Sequence, residues 1–384
     1  MSVKQYLSAT GNFLQKTAQY KPLHFVLFGA LLLILLAAPY YDVIPGGRNS
    51  NGFIAPAIYY TVAALGLNLL LGFGGLISLA SAAFIGIGAM SMGYLMIYQE
   101  MSFFVALIIT MSVSLALGLV VGLFSLKVSG IYLTIGTLFF ATIIENLFLD
   151  VMPMSATERL GEITFFGNAV IDTSRSYTQL RTGEPQYDRY IALVIMVVVL
   201  VLSMIVLYNI IKSKTGRAFL AMSRSANAAA AMGVNIGVYR IIAFMIATFY
   251  ATTAGVLYVI YNTSIQNNIW TLELSLFILA VVIVGGMRSI FGTFIGALVI
   301  FTVPNLFINE YLRTFSNFLE TRFEIAWSPA GFAPVFAGLL IIIVVLFYPL
   351  GLIKLAYDAK YLLIKLSMFI KTKVKQLKGG EPRG

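Results

Sequence analysis

Residues 190–211 read Tyr-Ile-Ala-Leu-Val-Ile-Met-Val-Val-Val-Leu-Val-Leu-Ser-Met-Ile-Val-Leu-Tyr-Asn-Ile-Ile, a run without a single charged side chain. A helix needs roughly 20 apolar residues to cross the ~30 Å hydrocarbon core of a bilayer, so this run indicates a membrane span. The whole chain has the same character: 60% of its 384 residues are hydrophobic and 10% are charged, with a mean hydropathy of +0.92. This composition is not that of a soluble domain and predicts a polytopic helical membrane protein.

Apolar runs of this kind recur along the chain and predict an all-α fold, a membrane helical bundle of about 10 transmembrane helices. The predicted spans lie at 22–41, 53–72, 76–98, 102–125, 130–149, 190–211, 240–262, 273–288, 291–309 and 333–353. Between the sixth and seventh spans, a polar stretch at 212–240 interrupts the pattern.

The distribution of Lys and Arg predicts the orientation of these spans, because basic residues concentrate in cytoplasmic loops. Residues 1–21, 212–240 and 354–384 are basic, whereas 150–189 holds six acidic and four basic residues. Both termini and the 212–240 loop are therefore predicted to be cytoplasmic, and 150–189 to be external. An interfacial amphipathic leader at 1–21 and a lysine-rich tail at 354–384, attracted to anionic lipid, flank a transmembrane domain at 22–353.

The loop at 212–240 carries five basic and no acidic residues and contains the run Ser225-Ala-Asn-Ala-Ala-Ala-Ala-Met-Gly233. Ser225 is a favoured N-cap residue, the alanines have high helix propensity, and Gly233 suits a left-handed helix ending. A short helix with a small-residue surface is predicted, and it suits insertion into a groove on a partner; a plain linker is the alternative. The candidate docking residues are Arg217, Arg224, Ser225, Asn227, Ala228, Ala229 and Gly233.

The pattern Gly-Gly-x-x-Ser occurs twice at the ends of predicted spans, first at Gly74–Ser78 and again at Gly285–Ser289. Paired glycines at membrane depth break helices or allow close backbone approach, so they either line a solute pathway or pack helices tightly. Polar residues within spans are also candidates, although the carboxylate of Glu145 is close enough to the helix end to reach the outer interface instead. The candidate pathway residues are Asn68, Gly74, Gly75, Ser78, Glu145, Asn146, Gly285, Gly286 and Ser289.

Several function classes are excluded by what the sequence lacks. It contains no cysteine, no Gly-x-x-x-x-Gly-Lys-[Ser/Thr] phosphate loop and no paired aspartates or His-Glu zinc motif in its spans, so neither catalytic residues nor a metal site are predicted. The net charge of +10 is confined to the flanks of spans, so no nucleic-acid partner is expected. A channel or secondary transporter for a small polar solute is an alternative, but ionisable residues at mid-span are scarce.

Four segments carry a resemblance to a known family: Gly66-Leu-Asn-Leu-Leu-Leu-Gly72, Gly130-Ile-Tyr-Leu-Thr-Ile-Gly-Thr-Leu138, Ala229-Ala-Ala-Met-Gly-Val-Asn235 and Val284-Gly-Gly-Met-Arg-Ser289. In this order they resemble the permease subunits of branched-chain amino acid ABC importers, the LivM-type family, which has urea, amide and nucleoside relatives. Two departures stand out: Asn227 occupies the position of the family's coupling glutamate, and Arg288 occupies a position that is more often glycine.

The resemblance implies an importer in a bacterial inner membrane, with this chain as one of two related permease subunits. It implies two ATPase subunits inside, which carry ATP and Mg²⁺, so that no cofactor belongs to this chain. It also implies a soluble substrate-binding protein outside, for which residues 150–189 are the natural landing place. The loop at 212–240 would then be the coupling loop that contacts the ATPases.

Overall fold

The structure is a computed structural model. It describes residues 22–37, 50–128, 130–151, 163–165, 168–171, 186–262, 269–304, 316, 321, 332–347, 351, 352 and 354. The leader predicted at 1–21 and the tail from 355 onward lie outside these ranges, as do parts of the segment predicted to be external.

Helices make up most of the described chain. The first six are α1 (Pro22–Ala37), α2 (Ser50–Asn68), α3 (Ser81–Ile97), α4 (Phe103–Lys127), α5 (Ile131–Val151) and α6 (Gln186–Lys212). The next six are α7 (Lys214–Arg224), α8 (Ala226–Ala231), α9 (Ile236–Asn262), α10 (Leu272–Gly285), α11 (Ile290–Ala297) and α12 (Phe332–Phe347). A short antiparallel hairpin of β1 (Ile163–Phe165) and β2 (Asn168–Ile171) lies in the segment predicted to be external.

Among the described residues, four helical segments are long and apolar enough to cross a membrane: Ile54–Phe73, Phe103–Lys127, Ile191–Lys212 and Ile236–Asn262. Shorter apolar helices lie at His24–Ile34, Ser81–Ile97, Ile131–Leu147, Leu272–Gly285 and Ile290–Thr302. These elements agree with a helical membrane protein, while the total of ten spans and the side of each terminus stay predictions.

Two of the predicted spans are interrupted by turns of wider helix. Helix α2 continues as a π-helical turn over Leu69–Phe73, and α11 continues as one over Leu298–Thr302. After the first of these turns the chain runs without helix from Leu76 to Ala80, so α3 begins later than the span predicted from residue 76. π-turns are frequent at functional sites because they break the regular hydrogen-bond register of a helix.

The core is built around α9, which packs against α2, α3 and α4. Glycines allow these helices to approach closely: a methyl group on Gly255 would lie 2.1 Å from the carbonyl oxygen of Ile85, and one on Gly88 would lie 2.4 Å from that of Thr252. Small residues are the usual means of bringing helices together in a membrane, where apolar burial alone does not drive association. By contrast, α4 presents large apolar side chains such as Ile108 on its outer side.

Polar side chains cross-link this core at a few points. The hydroxyls of Ser114 and Thr252 are hydrogen-bonded between α4 and α9. Thr137 of α5 accepts a hydrogen bond from the Leu79 amide at 3.1 Å, and Ser275 of α10 accepts one from the Ala82 amide at 3.0 Å. The Leu79 amide lies in the non-helical stretch before α3 and the Ala82 amide lies in the first turn of α3, where amides have no partner within the helix. The two hydroxyls supply the missing acceptors.

Candidate functional site

The polar stretch after α6 folds into the two short helices α7 and α8. Ser213 caps α7 by accepting hydrogen bonds from the amides of Thr215 at 3.2 Å and Gly216 at 3.5 Å. One face of α7 is apolar, and Phe219 on that face is completely buried against the bundle, whereas Arg217 and Arg224 are exposed. The helix is therefore seated on the bundle by its apolar face and presents its basic face outward.

Both ends of α8 have the structure that the sequence predicts. The Ser225 hydroxyl accepts a hydrogen bond from the Ala228 amide at 3.3 Å, and Gly233 has a φ of +84°. At the far end the Gly233 amide donates to Ala230 O at 2.9 Å and the Val234 amide donates to Ala229 O at 3.0 Å. This is a Schellman ending, so a helix of only six residues is closed at both ends.

The outer surface of α8 is made of small residues around one large apolar side chain. Asn227, Ala228 and Gly233 are exposed, and the Met232 side chain is 86% exposed. Of the residues predicted for docking, Ala229 alone is buried, at 4% exposure. Ala229 therefore faces the protein, and the other predicted residues of α8 and its ends face outward.

Asn68, at the end of α2, joins that helix to the turn between α10 and α11. Its carboxamide nitrogen donates to Ser289 O at 3.1 Å and to the Thr293 hydroxyl at 2.8 Å, and its oxygen accepts from the Arg288 amide at 2.9 Å. The side chain is fully buried. It thus fixes a turn that lies more than 200 positions away in the sequence.

Arg288 connects the same turn to α7. Its Nε donates to Gly72 O at 2.5 Å, and its guanidinium donates to the Ser223 hydroxyl at 3.4 Å. Gly75, with a φ of +69°, also packs here, because a methyl group on it would lie 3.1 Å from Cα of Ser223.

The glycines of the second Gly-Gly-x-x-Ser pattern bring α10 and α11 together. A methyl group on Gly285 would lie 2.1 Å from the carbonyl oxygen of Gly292, and Gly286 has a φ of +109°. Ser289 caps α11 by accepting a hydrogen bond from the Gly292 amide at 3.0 Å. These contacts support the packing interpretation of Gly285, Gly286 and Ser289, while a role of these residues in a solute pathway stays a prediction.

Two cavities among the described helices differ in size and lining. Gly74 is buried, and Ser78 lines a cavity of about 10 Å³ between α2, α3 and α9, with Ser81 and Thr248. This volume holds about one water molecule. A larger groove of about 430 Å³ lies between α4, α6 and α9, but its lining is mostly apolar, for example Phe104, Leu107 and Leu202.

Glu145 and Asn146 lie far from the turn that contains Arg288. The Glu145 carboxylate accepts a hydrogen bond from the Leu272 amide at 3.3 Å, at the beginning of α10, whereas Arg288 follows the end of the same helix. Fourteen residues of helix separate the two sites by about 21 Å. Asn146 is exposed and donates to the Thr142 carbonyl oxygen of its own helix at 2.8 Å.

Of the residues that make the contacts around Arg288, the predicted sites included Asn68, Gly75 and Ser289. Ser223 and Thr293 were absent from the predicted sites, and Arg288 was noted only for its unusual position in the second glycine pattern. A basic residue two positions after a pair of glycines, within the Gly-Gly-x-x-Ser pattern, is the signal that could have identified it. Among the described residues, no group of three or more His, Cys, Asp or Glu side chains could hold a metal ion.

Comparison with known proteins places the chain in a family. A family model described as "Branched-chain amino acid transport system / permease component" matches residues 50–346. The chain is 28% identical over 322 residues to the high-affinity branched-chain amino acid transport system permease protein LivM of Salmonella typhimurium, covering 80% of this chain and 74% of that protein. It is 28% identical over 321 residues to the LivM protein of Escherichia coli, with the same coverage. No solved structure matches the chain. The chain belongs to the family of permease components of branched-chain amino acid transport systems.

Proposed function

We propose that this chain is a transmembrane subunit of an ATP-driven importer for a small polar solute: a branched-chain or similar amino acid, an amide, urea or a nucleoside. The observation that carries the proposal is the capped helix α8, which presents small side chains and Met232 outward while α7 anchors it to the bundle. The exposed residues of α8 are uncharged, and such a surface suits the groove of a partner. Both LivM relatives are permease proteins of transport systems, as their names state.

The same proposal assigns the partners. The ATPases bind α7 and α8 from the cytoplasm of a bacterium and carry ATP and Mg²⁺, because the chain has no phosphate-binding loop of its own. A soluble protein delivers the solute at the segment 150–189, on the opposite side of the inner membrane. A second, related permease completes the assembly.

The pathway is proposed to run between the two permeases. Within the described part of this chain, the cavity between α2, α3 and α9 has a volume of about 10 Å³ and admits no more than about one water molecule. The groove of about 430 Å³ offers mostly apolar side chains, which do not suit a polar solute. A route shared with a second subunit needs no opening through the middle of either chain.

ATP-driven closure of the ATPases would push on α8 and change the populations of the outward-open and inward-open states. Force reaches the bundle through α7, whose Phe219 is buried in it, and through the contacts of Ser223 with Gly75 and Arg288. These contacts lead directly to the ends of α2 and α10. The two Gly-Gly-x-x-Ser turns are thereby placed between the docking surface and the transmembrane helices.

The experiment uses proteoliposomes that contain the complete transporter, with the binding protein outside and ATP inside. Ala228→Trp places a bulky side chain on the docking surface and is expected to abolish ATPase binding and ATP-dependent uptake. Ala116→Trp makes the same change on the exposed side of α4 and serves as the matched control. ATPase binding and uptake that survive Ala228→Trp would contradict the proposed docking, and uptake by the purified chain without ATPases would favour a secondary transporter or channel.

A further inference from the structure

Arg288 is the point at which three parts of the chain meet. Its backbone amide donates to Asn68 of α2 at 2.9 Å, its Nε donates to the Gly72 carbonyl oxygen at 2.5 Å, and its guanidinium reaches the Ser223 hydroxyl of α7 at 3.4 Å. Among the side-chain hydrogen bonds of the described residues, this guanidinium joins α7 directly to the turn between α10 and α11. The position therefore lies on the route from the docking surface to the bundle.

The backbone at Arg288 has a φ of +69°, in the left-handed region that glycine accepts freely and other residues rarely adopt. An arginine held in this conformation must be supported by its surroundings. Here the support is identifiable, because both the amide and the side chain of Arg288 have defined partners on other elements. Arginine adds to this turn a side-chain link that glycine, its easiest occupant, would lack.

The turn itself does not depend on the guanidinium. The Asn68 carboxamide holds the Arg288 amide, Ser289 O and the Thr293 hydroxyl, and Ser289 caps α11 through its own side chain. These bonds remain when the Arg288 side chain is removed. The side chain is thus separable from the fold of the turn, and its remaining role is the link to Gly72 and α7.

Ser223 is oriented to receive this link. Its hydroxyl donates to Leu220 O at 3.0 Å, which leaves the oxygen lone pairs available to accept from Arg288. The backbone of Ser223 packs on Gly75, where a methyl group would lie 3.1 Å from both its Cα and Cβ. Close packing and a hydrogen bond therefore hold the same residue of α7 against the end of α2.

We propose that Arg288 is a positioning residue that latches α7 to the α10–α11 turn and the end of α2, so that displacement of the docking helices moves the transmembrane helices as one body. The inference rests on the proposed function. Without the latch, α7 and α8 still dock with the ATPases, but they move separately from the transmembrane helices. ATP is then hydrolysed with less solute moved.

The test compares Arg288→Gly, Ser223→Ala and the double variant in reconstituted transporter, with solute moved per ATP hydrolysed as the main readout. Arg288→Gly suits the φ of +69° and removes only the side chain, so its melting temperature is expected to stay close to that of the wild type or to rise. The transport ratio is expected to fall roughly three- to tenfold while ATPase binding persists. Lys127→Gly removes an exposed basic side chain from the last residue of α4 and is the matched control.

The double variant separates a latch from two unrelated defects. If the Arg288 and Ser223 side chains act through their mutual contact, the double variant moves as much solute per ATP hydrolysed as the single variant with the lower ratio. Additive losses, or an unchanged ratio in Arg288→Gly, would overturn the proposal. If the wild-type assembly shows no ATP-dependent uptake, the proposed function fails instead. In that case the latch is tested by the melting temperatures of the wild type, the two single variants and the double variant. The proposal is overturned if the changes in melting temperature caused by the two substitutions are additive.

Discussion

The side chain of Asn68 and the backbone of Arg288 are joined by a hydrogen bond of 2.9 Å, although the two residues are 220 positions apart. With its two further bonds, Asn68 fixes where α11 begins relative to the end of α2. Asn68 was predicted as a pathway residue, and its contacts support a structural role.

Asn68→Leu is expected to destabilise the protein strongly. The change leaves the Arg288 amide without its partner and removes two further bonds, and each buried group left unsatisfied costs about 1–3 kcal/mol. Thermal unfolding in detergent measures the effect, which should be a fall of several degrees in Tm. Asn209→Leu changes an exposed asparagine on α6 and controls for the loss of an amide group. Equal Tm values for both variants would contradict the structural role of Asn68.

Gly285→Ala is expected to disrupt the contact between α10 and α11. The added methyl group would lie 2.1 Å from Gly292 O, and overpacking of this kind costs about 1–3 kcal/mol. The matched change Gly338→Ala meets no atom within 4 Å on α12 and is expected to be neutral or to stabilise the helix by about 0.5–1 kcal/mol. Tm measurements on the pair provide the test. A tolerated Gly285→Ala would show that the two helices separate readily.

Ser225→Ala is expected to weaken α8 by about 1 kcal/mol, because the Ala228 amide loses its capping partner. Ser225→Asp retains a side-chain oxygen that can cap the helix and should preserve it. ATPase binding to the reconstituted permease measures the consequence: it should weaken in the alanine variant and recover in the aspartate variant. Equal binding by the two variants would indicate that the ATPase does not require a preformed helix at this place.

Glu145→Gln distinguishes a helix cap from a pathway residue. The carboxylate faces the amide of Leu272 at the beginning of α10, where a negative charge contributes about 0.3–1 kcal/mol. The expected result is a small fall in Tm with solute uptake retained, since glutamine still offers an oxygen to the amide. If uptake is abolished while Tm is unchanged, Glu145 acts in the pathway and not as a cap.

Local features of this fold were readable from the sequence, and long-range ones were not. The Ser225 cap and the left-handed Gly233 depend on residues a few positions away, so propensity and capping rules predicted both. The contact of Arg288 with Ser223 depends on how helices pack, which no pattern in a single sequence records. The paired glycines predicted irregular or closely packed backbone, but not that Gly75 would pack against α7.

The proposed docking of α8 on an ATPase has a direct test, because the chain contains no cysteine and a single one can be introduced without background. Met232→Cys places a thiol at a side chain that is 86% exposed on the docking surface, and Ile108→Cys places one at a position 66% exposed on α4. In the assembled transporter, a cross-linker with a maleimide for the thiol and an active ester for lysine amines is expected to join the cysteine at position 232 to an ATPase subunit. It is expected to form no such link from the cysteine at position 108. A functional assembly in which position 232 forms no cross-link to the ATPase would contradict the central claim.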